Sequence, residues 1–436
     1  MQRISMYRFA PSPTGDMHIG NLRVALFNYI CAKQHNETFL VRIEDADKER
    51  NIEGKDREIL KILTRFGIHY DQLLYQSEHL KFHRQFATKL LMEKKAFACF
   101  CTPETLEAKR DSAEQAKVAY RYDGTCRYLS DEEVLNSEAP FVVRIKKPEA
   151  LIRFTDLIKG ECSFTPDDID DFVIMRVDKT PTYNFACAVD DMMHDISTVI
   201  REEEHLSNTP KQIGIHRYFG YEKEIRYAHL PAILNETGRK MEKSDNASSV
   251  KWLLDEGFLP EAIVNYLILI GNKTPSEIFT LEEAITWFDL KNISNTPAKF
   301  EIGKLQQLNR EHIRRIEPKL LAAYIGYSGE EIGELAKRYS EEASTLQEIK
   351  GKIDKIFAPK ESEAHAEELE KLKNIAKNAP FFKDFNDFQS YLAQESGLKD
   401  QTLSKPLRIL LTGEENGPNL NDLYPHIRNY LGEIAK

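Results

Sequence analysis

Residues Ser12–Asn21, SPTGDMHIGN, stand between a short apolar run, MYRFAP, and a stretch with helical spacing, NLRVALFNYICAKQ. A strand that enters a helix through a loop with two glycines commits the start of the chain to an α/β arrangement. Gly15 and Gly20 allow tight turning and close approach to a helix N-terminus, whose N–H groups favour phosphate. Ser12, Thr14, His18 and Asn21 bring polar groups to the same place. The loop therefore reads as a phosphate cradle, with His18 as a donor at the helix start.

The alternating run TFLVRIED and the amphipathic DREILKILTRFG follow, as expected for a doubly wound domain. From about Tyr75 to Lys179 a cysteine-bearing stretch and the strand-like runs PFVVRIK, LIRFTDLI and DFVIMRV interrupt that rhythm. They predict an inserted α+β domain. In TYNFACAVDDMMHDISTVIREEE we expect an apolar strand, an acidic turn, and a second strand running into a helix, which returns the chain to the first sheet. The stretches SVKWLLDEG, PEAIVNYLILIGN, LEEAITWFDL, LQEIKGKIDKIF and AHAEELEKLKNIAKNA then predict helices. The expected division is 1–75 with 186–235 for the split α/β domain, 76–185 for the insertion, 236–317 for a connecting region, and 318–436 for a helical end.

At 436 residues the chain can bury several cores. No run approaches the roughly 20 apolar residues of a membrane span, and the start lacks a secretory signal. A cytoplasmic protein without a membrane partner is expected. The formal charge of −10 argues against a nucleic-acid partner, yet 60 basic residues can still form a local patch. LNREHIRRI is such a patch, with Arg310, His312, Arg314 and Arg315.

The run RFAPSPTGDMHIGN resembles the first signature of the class I aminoacyl-tRNA synthetases, and specifically of their glutamyl and glutaminyl branch. A second signature of that class, Lys-Met-Ser-Lys-Ser, has its counterpart in Lys240-Met241-Glu242-Lys243-Ser244, with Glu242 where the pattern has Ser. The resemblance implies a Rossmann-type catalytic domain split by an acceptor-binding insertion, then a stem-contact region, then an anticodon-binding helical part. It also implies His18, Lys240 and Lys243 as catalytic groups, because ammonium groups on a closing loop stabilise charge gained by phosphoryl oxygens.

ATP would then meet Ser12, Thr14, Gly15, His18, Gly20, Asn21, Glu204, His205, Lys240 and Lys243. Glutamate would meet Arg8, Ala10, Ser12, Glu44, Tyr183, Cys187 and Arg201. Arg201 grips the side-chain carboxylate in this reading, and Glu44 holds the ammonium. Family members commonly carry Asn where this chain has Cys187. Magnesium accompanies ATP, and activation generally awaits bound tRNA. The partners implied are glutamate and tRNA for glutamate or glutamine, the protein acting as a monomer, with Arg310, Arg314 and Arg315 on the tRNA.

Cys99, Cys101 and Cys126 offer three soft ligands, and tetrahedral zinc needs a fourth. Zinc-binding family members can place a histidine two residues after the third cysteine, where this chain has Tyr128. Tyr122-Asp-Gly-Thr-Cys126 instead resembles shortened relatives that glutamylate a modified tRNA base, which makes Tyr122 the candidate fourth ligand. The other reading is a lost site whose cysteines are small buried apolar groups. Two rival functions also stand: a small-molecule nucleotidyltransferase, which needs no long helical end, and a tRNA-binding relative that has lost its chemistry.

Overall fold

The computed structural model describes residues 6–242 and 245–436. They form two compact units, one holding the chain up to Val250 with Leu267–Phe300, the other Lys251–Tyr266 with Glu301–Lys436. The first contains the strands β1 (Met6–Phe9), β2 (Thr38–Ile43), β3 (Gln72–Tyr75), β4 (Ala96–Cys99), β5 (Val142–Ile145), β6 (Ile152–Asp156), β7 (Gly160–Phe164), β8 (Val173–Met175), β9 (Ile196–Glu202) and β10 (Arg226–Leu230). Seven of them make one sheet in the order β3-β2-β1-β9-β10-β6-β7. Every pairing in it is parallel except β6 with β7.

The order reverses direction at β1. From there the chain first adds β2 and β3 on one side, and later β9 and β10 on the other. Such a switch point opens a crevice at the carboxyl ends of the two central strands. The helix α1 (Ile19–His35) starts in that crevice, is buried along most of its length, and ends on Asn36 in the left-handed conformation, φ 52°. Both faces of β1 and β2 are covered, which is why MYRF and FLVRI read as nearly unbroken apolar runs.

Strands β4, β5 and β8 form a separate antiparallel sheet. The strand-like runs of the insertion therefore divide, since PFVVRIK and DFVIMRV supply that small sheet while LIRFTDLI supplies β6, which extends the large one. The apolar strand expected in TYNFACAVDDMM is instead the helix Tyr183–Met193. Phe185 to Asp191 are all buried, and a run buried on every side shows no period that separates helix from strand. The predicted strand STVIREEE is β9.

The second unit is helical. Its core joins Ile353, Phe388, Leu410, Tyr424 and their neighbours. The helix Leu346–Phe357 begins with a capping box in which Thr345 Oγ1 accepts from the Glu348 amide at 3.3 Å and Glu348 Oε2 accepts from the Thr345 amide at 3.2 Å. Gly333 lies where the helix Glu330–Tyr339 crosses Pro318, and a Cβ there would stand 1.8 Å from the Pro318 carbonyl oxygen. Backbone cannot swing aside as a side-chain end can. Gly333→Ala is expected to destabilise this unit by about 3 kcal/mol, read as a lower denaturant midpoint on helical circular dichroism. Among the described residues no helix is long and apolar enough to cross a membrane.

Candidate active site

The phosphate loop leaves β1 at the switch point. Its backbone is held by the Glu44 amide donating to Pro11 O and the Ile52 amide to Pro13 O, both at 2.9 Å. Ser12 and Asn21 are exposed, and Ala10, Thr14 and Gly15 are half-buried, so the loop faces the crevice. His18 is the N-cap of α1, and its Nδ1 accepts from the Gly20 amide at 3.0 Å. In the neutral ring this leaves the proton on Nε2. A Cβ at Gly20 would come within 2.5 Å of Glu202 Oε1, the movable end of a side chain, and would stand 3.2 Å from His18 Nδ1.

The lysine loop follows β10. A backbone turn from Asn235 to Arg239 sets it, and the Met241 amide donates to Ile233 O at 3.0 Å. Lys240 pairs with Glu204, which raises the lysine above its ordinary value. Glu242 is exposed, and its amide donates to Asp245 Oδ2 at 2.9 Å. Lys243 lies outside the described residues. Beyond it the Val250 amide donates to Met17 O at 3.1 Å, which joins the end of the lysine loop to the phosphate loop.

Beneath the crevice lies a buried ionic cluster. Arg42 is fully buried and meets Asp191 at 2.6 Å, Glu44 at 3.2 Å and Asp190 at 3.9 Å. Arg8 meets both oxygens of Asp191 at 3.4 Å. Burial opposes charge on Asp191, but Arg8 and Arg42 outweigh it and hold the carboxyl at about 2. For Glu44 burial wins and lifts it above the usual carboxylate range, against Arg42 and the Cys187 thiol that donates to its Oε1 at 2.9 Å. The cluster holds two guanidiniums and three carboxylates, and Asp190 is met further by His83 at 2.8 Å and His79 at 3.3 Å.

Across the crevice, Arg201 of β9 is buried and donates from Nη2 to Thr209 Oγ1 at 2.6 Å and from Nε to His229 Nε2 at 3.2 Å. Its Nη1 is buried without a protein partner. An unpaired guanidinium nitrogen in such a place is costly unless an anionic ligand meets it. Tyr183 lies 3.4 Å from His205, whose ring burial pulls down to about 4, so it is neutral at pH 7.

Residues 6–307 match the family described as class I tRNA synthetases (E and Q), catalytic domain. The chain belongs to that family. It is 60% identical over 432 residues to glutamate–tRNA ligase 1 of a Nitratiruptor species, spanning 99% of this chain and all of that protein. Glutamate–tRNA ligase 2 of Sulfurimonas denitrificans is 58% identical over the same length and coverage. A crystal structure of a glutamate tRNA ligase from Elizabethkingia meningosepticum, in complex with its amino acid, superposes with a TM-score of 0.84 at 27% identity, covering 99% of this chain and 98% of that one.

The synthetase's three clustered thiols lie in the insertion, with the sulfurs of Cys99, Cys101 and Cys126 all within 4.8 Å of one another. Tyr122 Oη is 3.4 Å from Cys99 Sγ and 3.6 Å from Cys101 Sγ, and Cys101 Sγ is 3.6 Å from Cys126 Sγ. Burial pushes the Cys101 thiol up to about 11. For Cys99 burial also raises the thiol, but hydrogen bonds with Tyr122, the Cys101 amide and Arg144 outweigh it and leave Cys99 below its ordinary value.

The basic patch of the synthetase is smaller than its sequence suggests. His312 is a core residue bonded to Asn265 at 2.9 Å, and burial pulls it down to about 4. Arg310 is half-buried on Ser344, and Arg314 pairs with Glu311. Arg314 and Arg315 are exposed. Several residues that build the site carried no motif: Arg42, Asp156, Asp190, Asp191, Glu202, Thr209 and His229. A signal existed for Arg42, since a charge inside an apolar strand two residues before Glu44 must be paired.

Proposed function

We propose that this synthetase joins glutamate to the 3′ end of tRNA through a glutamyl-adenylate made with ATP. The observation that carries the reading is Arg201 Nη1, a buried donor left open beside a fork already fixed on its other edge. A side-chain carboxylate supplies the missing acceptor and the missing charge. Glu44, at the end of β2, takes the ammonium. The names of the closely similar relatives point the same way.

In the first step a carboxylate oxygen of glutamate attacks the α-phosphorus of ATP and pyrophosphate leaves. His18 donates from Nε2 to a phosphate oxygen at the N-terminus of α1, with Ser12, Thr14, Gly15, Gly20 and Asn21 around the nucleotide and Glu204 and His205 at its flank. Lys240, released from Glu204, and Lys243 stabilise charge on the departing phosphates. In the second step the terminal adenosine hydroxyl of tRNA attacks the carbonyl carbon, and AMP leaves with its new charge while the hydroxyl proton passes to solvent. Positioning and charge stabilisation do most of this. Magnesium travels with the ATP phosphates, since among the described residues the only group of three or more close metal-binding side chains is the cysteine cluster.

That cluster fits zinc as a structural ion held by Cys99, Cys101, Cys126 and Tyr122. Tetrahedral zinc at about 2.3 Å from sulfur and about 2.0 Å from oxygen places sulfurs about 3.8 Å apart and oxygen about 3.5 Å from sulfur, close to the spacings found. Purified protein is expected to contain zinc near one equivalent, and Cys126→Ser to lose it with a lower melting temperature. Zinc-free protein of unchanged stability leaves the cysteines as buried apolar groups.

Aminoacylation with two purified tRNAs, one for glutamate and one for glutamine, tests the substrate assignment. Glutamate esterified to the first is the expected result, and the second measures whether a misacylated product is also made. Charging of neither, with adenylate still formed, favours a small-molecule nucleotidyltransferase. Loss of both steps with tRNA still bound marks a relative without chemistry.

A further inference from the structure

Behind Arg201 a line of buried polar groups runs across the sheet. His229 of β10 is directly in register with Arg201 of β9. Its Nδ1 is 2.6 Å from Oδ2 of Asp156, the last residue of β6. Asp156 also accepts the backbone N–H groups of Ile158, Lys159 and His229. Arg201, Thr209, His229 and Asp156 are each at most 4% exposed.

The donors fix the tautomer. A guanidinium only donates, so the His229 Nε2 that receives Arg201 Nε must present a lone pair. The ring proton therefore sits on Nδ1 and goes to Asp156. Thr209 Oγ1 accepts from Arg201 Nη2 and turns its own proton to His229 Nε2 at 3.0 Å. Two contacts on one edge set the plane of the fork, and Nη1 on the other edge remains for a ligand.

We propose that Asp156 and His229, with Thr209, are positioning residues for amino-acid selection: they lock the Arg201 fork so that it meets a carboxylate rather than an amide. This rests on the reading of Arg201 as the receptor for the glutamate side chain. A carboxylate placed directly on Arg201 would satisfy the fork and compete with the substrate. A neutral imidazole between them lets Asp156 orient the fork without cancelling its charge. Burial, with the nearby Arg201 charge, outweighs Asp156 and holds His229 below the usual imidazole range, consistent with a neutral ring at pH 7.

Pyrophosphate exchange in the presence of tRNA, with glutamate, glutamine and ATP each titrated, tests the proposal. Thr209→Val and His229→Phe are each expected to raise KM for glutamate about tenfold or more and to narrow the preference over glutamine, with kcat and KM for ATP changed less than about threefold. His229→Gln, whose amide oxygen can accept in place of Nε2, recovers most of the loss. In an Arg201→Ala background, His229→Phe adds less than about twofold, because it acts through the fork that is already gone. Should His229→Phe not fold, Thr209→Val carries the same comparison. An unchanged glutamate KM in both single variants overturns the positioning role. An equal penalty with and without Arg201 does so too, by making His229 merely structural. If Arg201→Ala itself keeps glutamate selectivity, the parent reading fails first and the positioning role with it.

Discussion

Replacing Arg201 by alanine is expected to lower kcat/KM for glutamate by roughly a hundred- to a thousandfold while kcat/KM for glutamine changes far less. The fork is buried and fixed by Thr209 and His229. Breaking a buried ion pair by removing one partner costs about 3–5 kcal/mol, and in the proposed reading the abandoned partner is the substrate carboxylate. Glutamine brings no charge to abandon. A site built around a buried donor discriminates by what it leaves unpaired, so its loss should bring the two amino acids close together. Pyrophosphate exchange with each amino acid in turn measures both constants, and unchanged discrimination removes Arg201 from the pocket.

His18→Ala is expected to lower adenylate formation by about a hundred- to a thousandfold, the usual loss for one donor aimed at developing oxyanion charge. tRNA affinity should stay within about twofold. His18 has a second task, since its Nδ1 caps α1 through the Gly20 amide, and losing a cap costs about 1 kcal/mol. Asparagine separates the two. His18→Asn keeps a side-chain acceptor for the cap but does not put a donor where Nε2 stands, so stability should return while the rate does not. Single-turnover adenylate formation beside a thermal melt reads both effects.

The start of the fold was legible because its pattern is local. MYRFAP, the glycine loop and NLRVALFNYICAKQ became β1, the crevice loop and α1, and His18 took the cap position its place suggested. The helix Tyr183–Met193 was misread as a strand because its buried acids, Asp190 and Asp191, hide its period. Asp191 points inward to satisfy Arg8 and Arg42, and Asp190 meets Gln76 and His83, pairings across long stretches of chain that no local window contains. The same holds for Asp156, which meets His229, the partner of Arg201, only because β6 joins the large sheet beside β10. His312 went the other way, a basic residue in a charged run that the helix phase turned into the core. The motifs thus mark the two loops, while the buried groups packed behind them depended on tertiary pairing.

The most direct test of glutamate activation is ATP–pyrophosphate exchange by the wild-type protein, with and without tRNA, offered glutamate, glutamine or aspartate. The account predicts exchange with glutamate, stimulated by tRNA, and little with the other two. Equal exchange with glutamine, or none with glutamate even when tRNA is present, would contradict it.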